Sequence, residues 1–328
     1  MMRVYFSILF IFMLFANILL AQDPQFSQFY ANPLYTNPAF AGSSGNYRFV
    51  LNARDQYTAL QNNYKTYSSS FDCNIAQLGG GLGVIATSDV AGDGKLTTTS
   101  ISGIYSYHIQ VTKKFNMRAG IQGSYFQKSY DFTKFHFGDE IDDRYGFVKK
   151  TSENMANQQI GFPNFSVGIL AYTEIFFGGF AIHNLTEPNQ SFYSQTGTQY
   201  NLPRRYTAHV GMNLLLTNQR DEQERLLISP NIIYMSQRDY NQLNLGFYLK
   251  KQALTTGFWF RQTSQNTDAV IVLLGVRFPR FRVGYSYDIT VSGARTATQG
   301  SHELSLAFEI APKKHEKRVY KPLVCPVF

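Results

Sequence analysis

The stretch RFRVGYSYDIT, residues 280–290, decides the fold of this chain. Its apolar side chains Val283, Tyr285, Tyr287 and Ile289 alternate with small, polar or charged residues. This two-residue period is that of a β-strand with one apolar face. The same alternation recurs along most of the chain and predicts fourteen strands, at residues 47–56, 65–74, 80–88, 96–110, 114–128, 164–172, 175–184, 204–217, 225–235, 241–250, 253–262, 269–278, 280–290 and 301–311.

Composition, segment length and the positions of the aromatic residues indicate which class of all-β protein this is. Aromatic residues and charged residues each make up 16% of the 328 residues, whereas soluble proteins carry about 25% charged residues. A soluble sandwich would also alternate, with its apolar side chains inside. Two features instead favour a transmembrane outer-membrane β-barrel of about 14 antiparallel strands, with apolar side chains facing lipid. Many segments have about the ten-residue length that crosses a membrane, and pairs such as Phe176 and Phe177 stand at segment ends.

The predicted connections sort by length, as they do in such barrels. If the chain enters the barrel from the periplasm, the connections from odd to even strands face outward. The two longest, 129–163 and 185–203, both fall on that outer side. On the periplasmic side, every connection is short except 218–224.

Three segments lie outside the strands. Residues 1–21 are typical of a secretory signal peptide, with Arg3 before an apolar run and cleavage expected near Ala21; an uncleaved anchor is the alternative. Residues 22–46 are rich in Asn, Pro and aromatic residues, so they form either a flexible leader or a plug inside the barrel, which spans 47–311. The basic tail, 312–328, reaches the periplasm or folds back inside.

Other function classes find little support in the sequence. The net charge is +8, but the basic residues are mostly scattered singly, so we expect no nucleic-acid partner. Cys73 and Cys325 lack metal-site spacing, and they form either one bridge or two thiols. The histidines show no ligand spacing and no nucleophile is marked. We therefore predict a protein that is not an enzyme and uses no cofactor or metal.

Motifs near both ends resemble one family. QDPQFSQF at residues 22–29 is followed by NPAFAG at 37–42, and GYSYD at 284–288 is followed by GSHELSL at 300–306. This combination resembles the PorP/SprF family, outer-membrane barrels of the type IX secretion system in Bacteroidetes. The motif positions are Asn37, Pro38, Gly42, Tyr285, Tyr287, Asp288, Gly300, Ser301, His302 and Glu303.

The resemblance implies a non-enzymatic role in secretion and gliding at the outer membrane. The partners that it implies are a secreted adhesin with a type IX C-terminal domain, a periplasmic peptidoglycan-binding lipoprotein, or both, besides the outer-membrane lipid. The alternative function is an outer-membrane channel for small or hydrophobic solutes.

Two groups of residues are candidate sites. Charged side chains on the polar face of the strands either form ion pairs in the lumen or bind the chain ends or a solute; they are Arg54, Arg118, Arg205, Arg261, Arg277, Arg282 and Asp288. An acidic stretch in the longest outer connection is either a solvated loop or a site for a partner or divalent ion; it contains Asp139, Glu140, Asp142, Asp143 and Arg144.

Overall fold

The computed structural model describes residues 23–59, 63–92, 96–131, 138–142, 144–152, 159–192, 200–217, 226–264, 269–291 and 299–312. Within these ranges the chain forms the fourteen-stranded antiparallel barrel that the sequence predicts. The strands are β1 Tyr47–Gln56, β2 Tyr64–Ile75, β3 Gly80–Ala91, β4 Leu96–Gln110, β5 Asn116–Tyr130, β6 Gln159–Tyr172, β7 Phe176–His183, β8 Arg205–Met212, β9 Leu226–Gln237, β10 Tyr240–Lys251, β11 Leu254–Thr263, β12 Ala269–Arg277, β13 Phe281–Thr290 and β14 Ser301–Ile310.

The sheet closes on itself. Each barrel strand pairs with its neighbours in sequence order, and β1 pairs with β14 in a ladder running from Tyr47 opposite Ile310 to Gln56 opposite Ser301. Closure satisfies the backbone hydrogen bonds of every strand and leaves no sheet edge, as a span through hydrocarbon requires. One short strand, Leu214–Leu215, continues alongside β9 beyond the end of β8.

Two strand boundaries differ most from the sequence prediction. β6 begins at Gln159, earlier than predicted, because its ladder with β5 extends to the pair Ser129 and Gln159. β8 ends early, at Met212, where the predicted strand runs on to residue 217. There the backbone N–H of Asn213 donates to the Ile175 carbonyl, and the chain then continues as the short strand that pairs with β9 alone.

The barrel wall is apolar outside and polar inside. Ile101 and Ile121 are 58% and 60% exposed on the outer face, whereas Ser100 and Ser102 are buried toward the lumen. This inverted pattern suits a barrel whose outer surface faces lipid. Among the residues that the structure describes, no helix is both long enough and apolar enough to cross a membrane.

The two ends of the barrel differ. At the end where β1 begins and β14 finishes, connections such as 252–253 and 278–280 are short; we call this the turn end. At the opposite end, the loop end, the connections between β5 and β6 and between β7 and β8 are the longest. Short turns face the periplasm in such barrels, so the loop end is the outer side.

Before β1, the chain runs through the inside of the barrel. This part, residues 23–46, is called the inner segment; it contains a helical turn, α1 (Pro33–Thr36), and a 3-10 helix at Pro38–Phe40. It begins at the loop end, where Asp23 lies 3.4 Å from Arg205. It finishes at the turn end, where the Gly42 N–H donates to Asp72 at 2.8 Å. The inner segment therefore lies where the plug alternative places residues 22–46.

Placing an arginine on each face of β5 in turn tests which face contacts lipid. We expect Ile121→Arg to lower the stability of the folded barrel in bilayers by about 2–4 kcal/mol, because a charged side chain would meet hydrocarbon. The adjacent Gln122→Arg should cost far less, because that side chain faces the lumen. Folding into liposomes across a urea series measures both variants. Equal costs would show that the faces are assigned wrongly.

Candidate functional site: the occupied lumen

Aromatic side chains of the inner segment form the centre of the barrel. Phe29 packs on Trp259 of β11 with ring centroids 4.9 Å apart, and Phe40 stacks on His209 of β8 at 5.3 Å. Phe29 is 2% exposed and Phe40 is completely buried. Each fully buried ring stabilises the packed state by about 1.5–3 kcal/mol. The apolar core of this protein therefore lies between the inner segment and the wall.

Four charged side chains meet next to that core. The central ion cluster consists of Arg54, Arg261, Asp288 and Glu303, all buried and contributed by β1, β11, β13 and β14. Arg54 lies 2.7 Å from Asp288 and 3.2 Å from Glu303, and Arg261 lies 3.0 Å from Asp288. Two cations and two anions balance, as buried charges require.

The inner segment completes the hydrogen bonds of this cluster. Ser27 Oγ donates to Asp288 at 2.6 Å and accepts from Arg54 at 2.6 Å and Arg261 at 2.7 Å. The backbone N–H of Ser27 donates to Glu303 at 2.6 Å. Because buried charges are costly when their hydrogen bonds are missing, the wall and the inner segment depend on each other.

A patch of wall glycines receives the turn of the inner segment between Asn37 and Gly42. This patch, the glycine seat, comprises Gly81 of β3, Gly120 of β5, Gly168 of β6 and Gly179 of β7. A methyl group at these positions would overlap atoms of Ala41, Ala39 and Asn37. The missing side chains therefore let two backbones approach closely.

The motif residues near the N-terminus lie in that seat. The Asn37 side chain accepts from the Ala39 N–H at 2.9 Å and donates to the Ile169 carbonyl at 3.0 Å. Pro38 occupies the first position of the 3-10 helix, where a missing N–H costs nothing. Gly42 has φ +67, and a side chain there would strike Gly81. These residues shape one tight turn against the wall.

The C-terminal motif is divided between the two faces of β13 and β14. Asp288 and Glu303 point inward to the central ion cluster, and Ser301 is also buried. Tyr285, Tyr287 and His302 lie on the outer face, where the Tyr285 hydroxyl is 2.7 Å from His302 Nδ1 and the Tyr287 hydroxyl donates to Gln299. Gly300, with φ +76, makes the turn into β14.

The predicted lumen arginines have separate partners. Arg118 donates to the Ala41 carbonyl at 2.8 Å, and Arg205 donates to the Tyr35 hydroxyl at 2.9 Å. Arg282 lies 2.7 Å from Glu309 of the neighbouring strand β14.

Arg277 stands apart from these buried arginines. It is exposed at the last position of β12, and the structure does not bring it to the central ion cluster.

Sequence reasoning missed one buried pair. Arg48 lies 2.8 Å from Asp72, and both side chains are almost fully buried. The signal was present, because Arg48 lies on the same face of β1 as Arg54. What the sequence did not show is that β2 places Asp72 opposite Arg48.

The acidic stretch outside the barrel is folded on itself. After a 3-10 turn at Gly138–Glu140, a two-stranded hairpin pairs Ile141–Asp142 with Gly146–Phe147. Asp139 accepts from the Ser152 N–H at 2.6 Å, and this hydrogen bond lowers the pKa of its carboxyl group.

The side chain of Asp142 is bound in the same way. Asp142 accepts from the Arg144 N–H at 3.0 Å, which lowers its pKa, and it lies 3.2 Å from Lys149. Asp143 lies outside the described residues. The carboxylates of Asp139 and Asp142 thus support the loop itself.

A cavity of about 590 Å³ opens above the inner segment at the loop end; we call it the vestibule. Residues 23–25 and Tyr35 form its floor, and hydroxyl side chains of β3, β4 and β5, such as Thr87, Ser100 and Ser124, line its wall. In the described part of the chain, no group of three or more His, Cys, Asp or Glu side chains is placed to hold a metal ion.

The glycine seat can be tested with a matched pair of substitutions. Gly120→Ala should displace the turn at Ala39 and lower stability by about 1–3 kcal/mol through overpacking. Gly103→Ala, with no atom within 4 Å, should have little effect. Trp259 is the single tryptophan and touches the inner segment, so a red shift of its emission reports displacement. Unchanged emission and stability in Gly120→Ala would contradict the seat.

Comparison with solved structures returns outer-membrane proteins at low similarity. The Acinetobacter baumannii outer membrane protein Omp33 has 10% identity, covers 81% of this chain and 100% of its own, and has a TM-score of 0.45. A deletion mutant of the monoaromatic hydrocarbon channel TodX has 10% identity, coverage of 85% and 94%, and a TM-score of 0.44. A Pseudomonas aeruginosa FadL homologue has 13% identity, coverage of 84% and 98%, and a TM-score of 0.40. Similarity this low carries no argument about function.

The sequence itself matches a family model. No curated protein matches the chain. The model described as "Type IX secretion system membrane protein PorP/SprF" matches residues 18–308, which include the whole inner segment and nearly all of the barrel. The chain, with both of its terminal motifs built into an occupied barrel, belongs to the PorP/SprF family of type IX secretion system membrane proteins.

Proposed function

We propose that this protein is a closed, non-enzymatic outer-membrane anchor of the type IX secretion and gliding machinery. In this role it supports the export or surface anchoring of a secreted adhesin, or it connects to a periplasmic peptidoglycan-binding lipoprotein. The observation that carries the proposal is the inner segment, whose Ser27 is hydrogen-bonded into the buried central ion cluster. A barrel filled in this way is suited to holding a partner more than to passing a solute.

The energetics of the inner segment support a permanent closure. Withdrawing it would expose the rings of Phe29 and Phe40 and leave Arg54 and Glu303 without the partners that Ser27 supplies. Leaving a buried charged group without a hydrogen-bond partner costs about 1–3 kcal/mol or more. Thermal motion therefore opens this lumen only rarely.

The two ends of the barrel offer distinct surfaces for partners. At the loop end, the folded acidic hairpin gives a surface outside the cell. The turn end gives a compact surface toward the periplasm. These surfaces suit an adhesin on the outside and a lipoprotein on the inside.

The channel alternative rests on the vestibule. A cavity of about 590 Å³ is large enough to hold a small solute. Its floor is the inner segment, so a solute would cross only if that segment moved. Conductance therefore separates the two functions.

Planar-bilayer recordings test the closed state. We expect the full chain to give no stable conductance and a variant lacking residues 23–44 to give open channels, because that deletion empties the lumen. Equal conductance of the two proteins would show that the inner segment does not close the barrel.

A cross-linked variant covers the case in which the deletion does not fold. A Cβ at Gly83 would lie 3.4 Å from that of Ala41, close to the separation in disulfides. Ala41→Cys with Gly83→Cys, in a background with Cys73→Ser and Cys325→Ser, should cross-link and stay non-conducting before and after reduction. Conductance of the cross-linked form would overturn the closed state.

Affinity purification from native outer membranes tests the anchor role. We expect a large secreted protein or a periplasmic lipoprotein to copurify with the full chain in mild detergent. Replacing residues 131–158 with a short turn should abolish retention of an outer partner while leaving the barrel assembled, as judged by heat-modifiable migration. A barrel that purifies alone in both forms would contradict the anchor role and favour the channel.

A further inference from the structure

Three cations face the lumen at the turn end of the barrel. Lys250 of β10, Arg277 of β12 and Arg282 of β13 occupy inward positions of their strands, near Glu309 of β14. We call these four side chains the turn-end cluster. Lys250 is paired with Thr255 of β11, and Thr255 is paired with Gly275, two positions before Arg277 on the inward face of β12. This register places Lys250 close enough to interact electrostatically with the other three.

Positive charge is in excess in this cluster. Arg277 and Arg282 are direct cross-strand neighbours, a placement that is destabilising for like charges. Arg282 lies 2.7 Å from Glu309, which is the carboxylate that the described structure places among the three cations. The four side chains of the turn-end cluster thus carry three positive charges and one negative charge.

Several other charged side chains in the lumen are paired with opposite charges. The central ion cluster has two arginines and two carboxylates, and Arg48 is paired with Asp72. At the loop end, Asp23 faces Arg205. The excess in the turn-end cluster produces a positive potential at this mouth of the barrel.

The cluster can be reached from water but not from the lipid side. Arg277 is exposed and Lys250 is partly buried. Both point inward, so the barrel wall separates them from membrane headgroups. We propose that the turn-end cluster is a binding site for a carboxylate or phosphate group of a soluble periplasmic molecule. The anion lies between Lys250 and Arg277, where it offsets the repulsion between the two arginines.

Two anionic probes test the site in the purified full chain. Fluorescent hexaglutamate supplies carboxylates and pyrophosphate supplies phosphate, so their relative affinities identify the preferred group. At low ionic strength we expect saturable binding of at least one probe in titration calorimetry, weakening as salt is added. Lys250→Gln with Arg277→Gln should weaken it about tenfold. Glu309→Gln should strengthen it.

A matched control separates the site from general charge at this rim. Lys251→Gln with Lys114→Gln removes two exposed cations from the same end but leaves the cluster intact, so its affinity should stay near that of the unmodified chain. No saturable binding of either probe, or equal losses in both double variants, would overturn the proposal. It would also be overturned if the protein preferred nanodiscs rich in phosphatidylglycerol and this preference depended only on Lys251 and Lys114. The assay is independent of the secretion role.

Discussion

The burial of four charges inside a membrane barrel is the constraint on which the rest of this structure depends. Arg54, Arg261, Asp288 and Glu303 come from four different strands, and each is paired with an opposite charge from another strand. Their remaining hydrogen bonds are supplied by Ser27, a residue that is not part of the wall. Wall and inner segment therefore form one cooperative unit, in which the inner segment is a structural element of the barrel.

The remaining features of the lumen support the same unit. The glycine seat lets the turn at Asn37 and Pro38 reach the wall, and Asp72 ties Gly42 to the turn end next to β1. Aromatic packing around Trp259 fills the space between. Small residues on several neighbouring strands reduce side-chain packing within the wall. In this barrel the inner segment packs against those strands and fills the space.

Much of the fold could be predicted because one physical rule controls it. A strand with lipid on one side and a polar lumen on the other must alternate, so the fourteen strands can be read from side-chain period alone. The errors occur where pairing decides the boundary. β6 extends to Gln159 because its pairing with β5 continues to that residue. β8 ends at Met212 because its pairing with β7 ends there. Alternation also placed Arg282 and Asp288 on one face. In the structure, Arg282 pairs with Glu309 and Asp288 pairs with Arg54, both on other strands.

The sequence by itself determined the barrel, its strand number, its two faces and the resemblance carried by its terminal motifs, because these depend on local period and local turn chemistry. Whether residues 22–46 form a leader or a plug stayed open at that level, since both use the same aromatic and Asn-Pro composition. Only the tertiary structure decided that residues 23–46 run through the lumen and that Ser27 meets charges more than two hundred residues away. Contacts at such separation depend on closure of the sheet, which brings β1 beside β14.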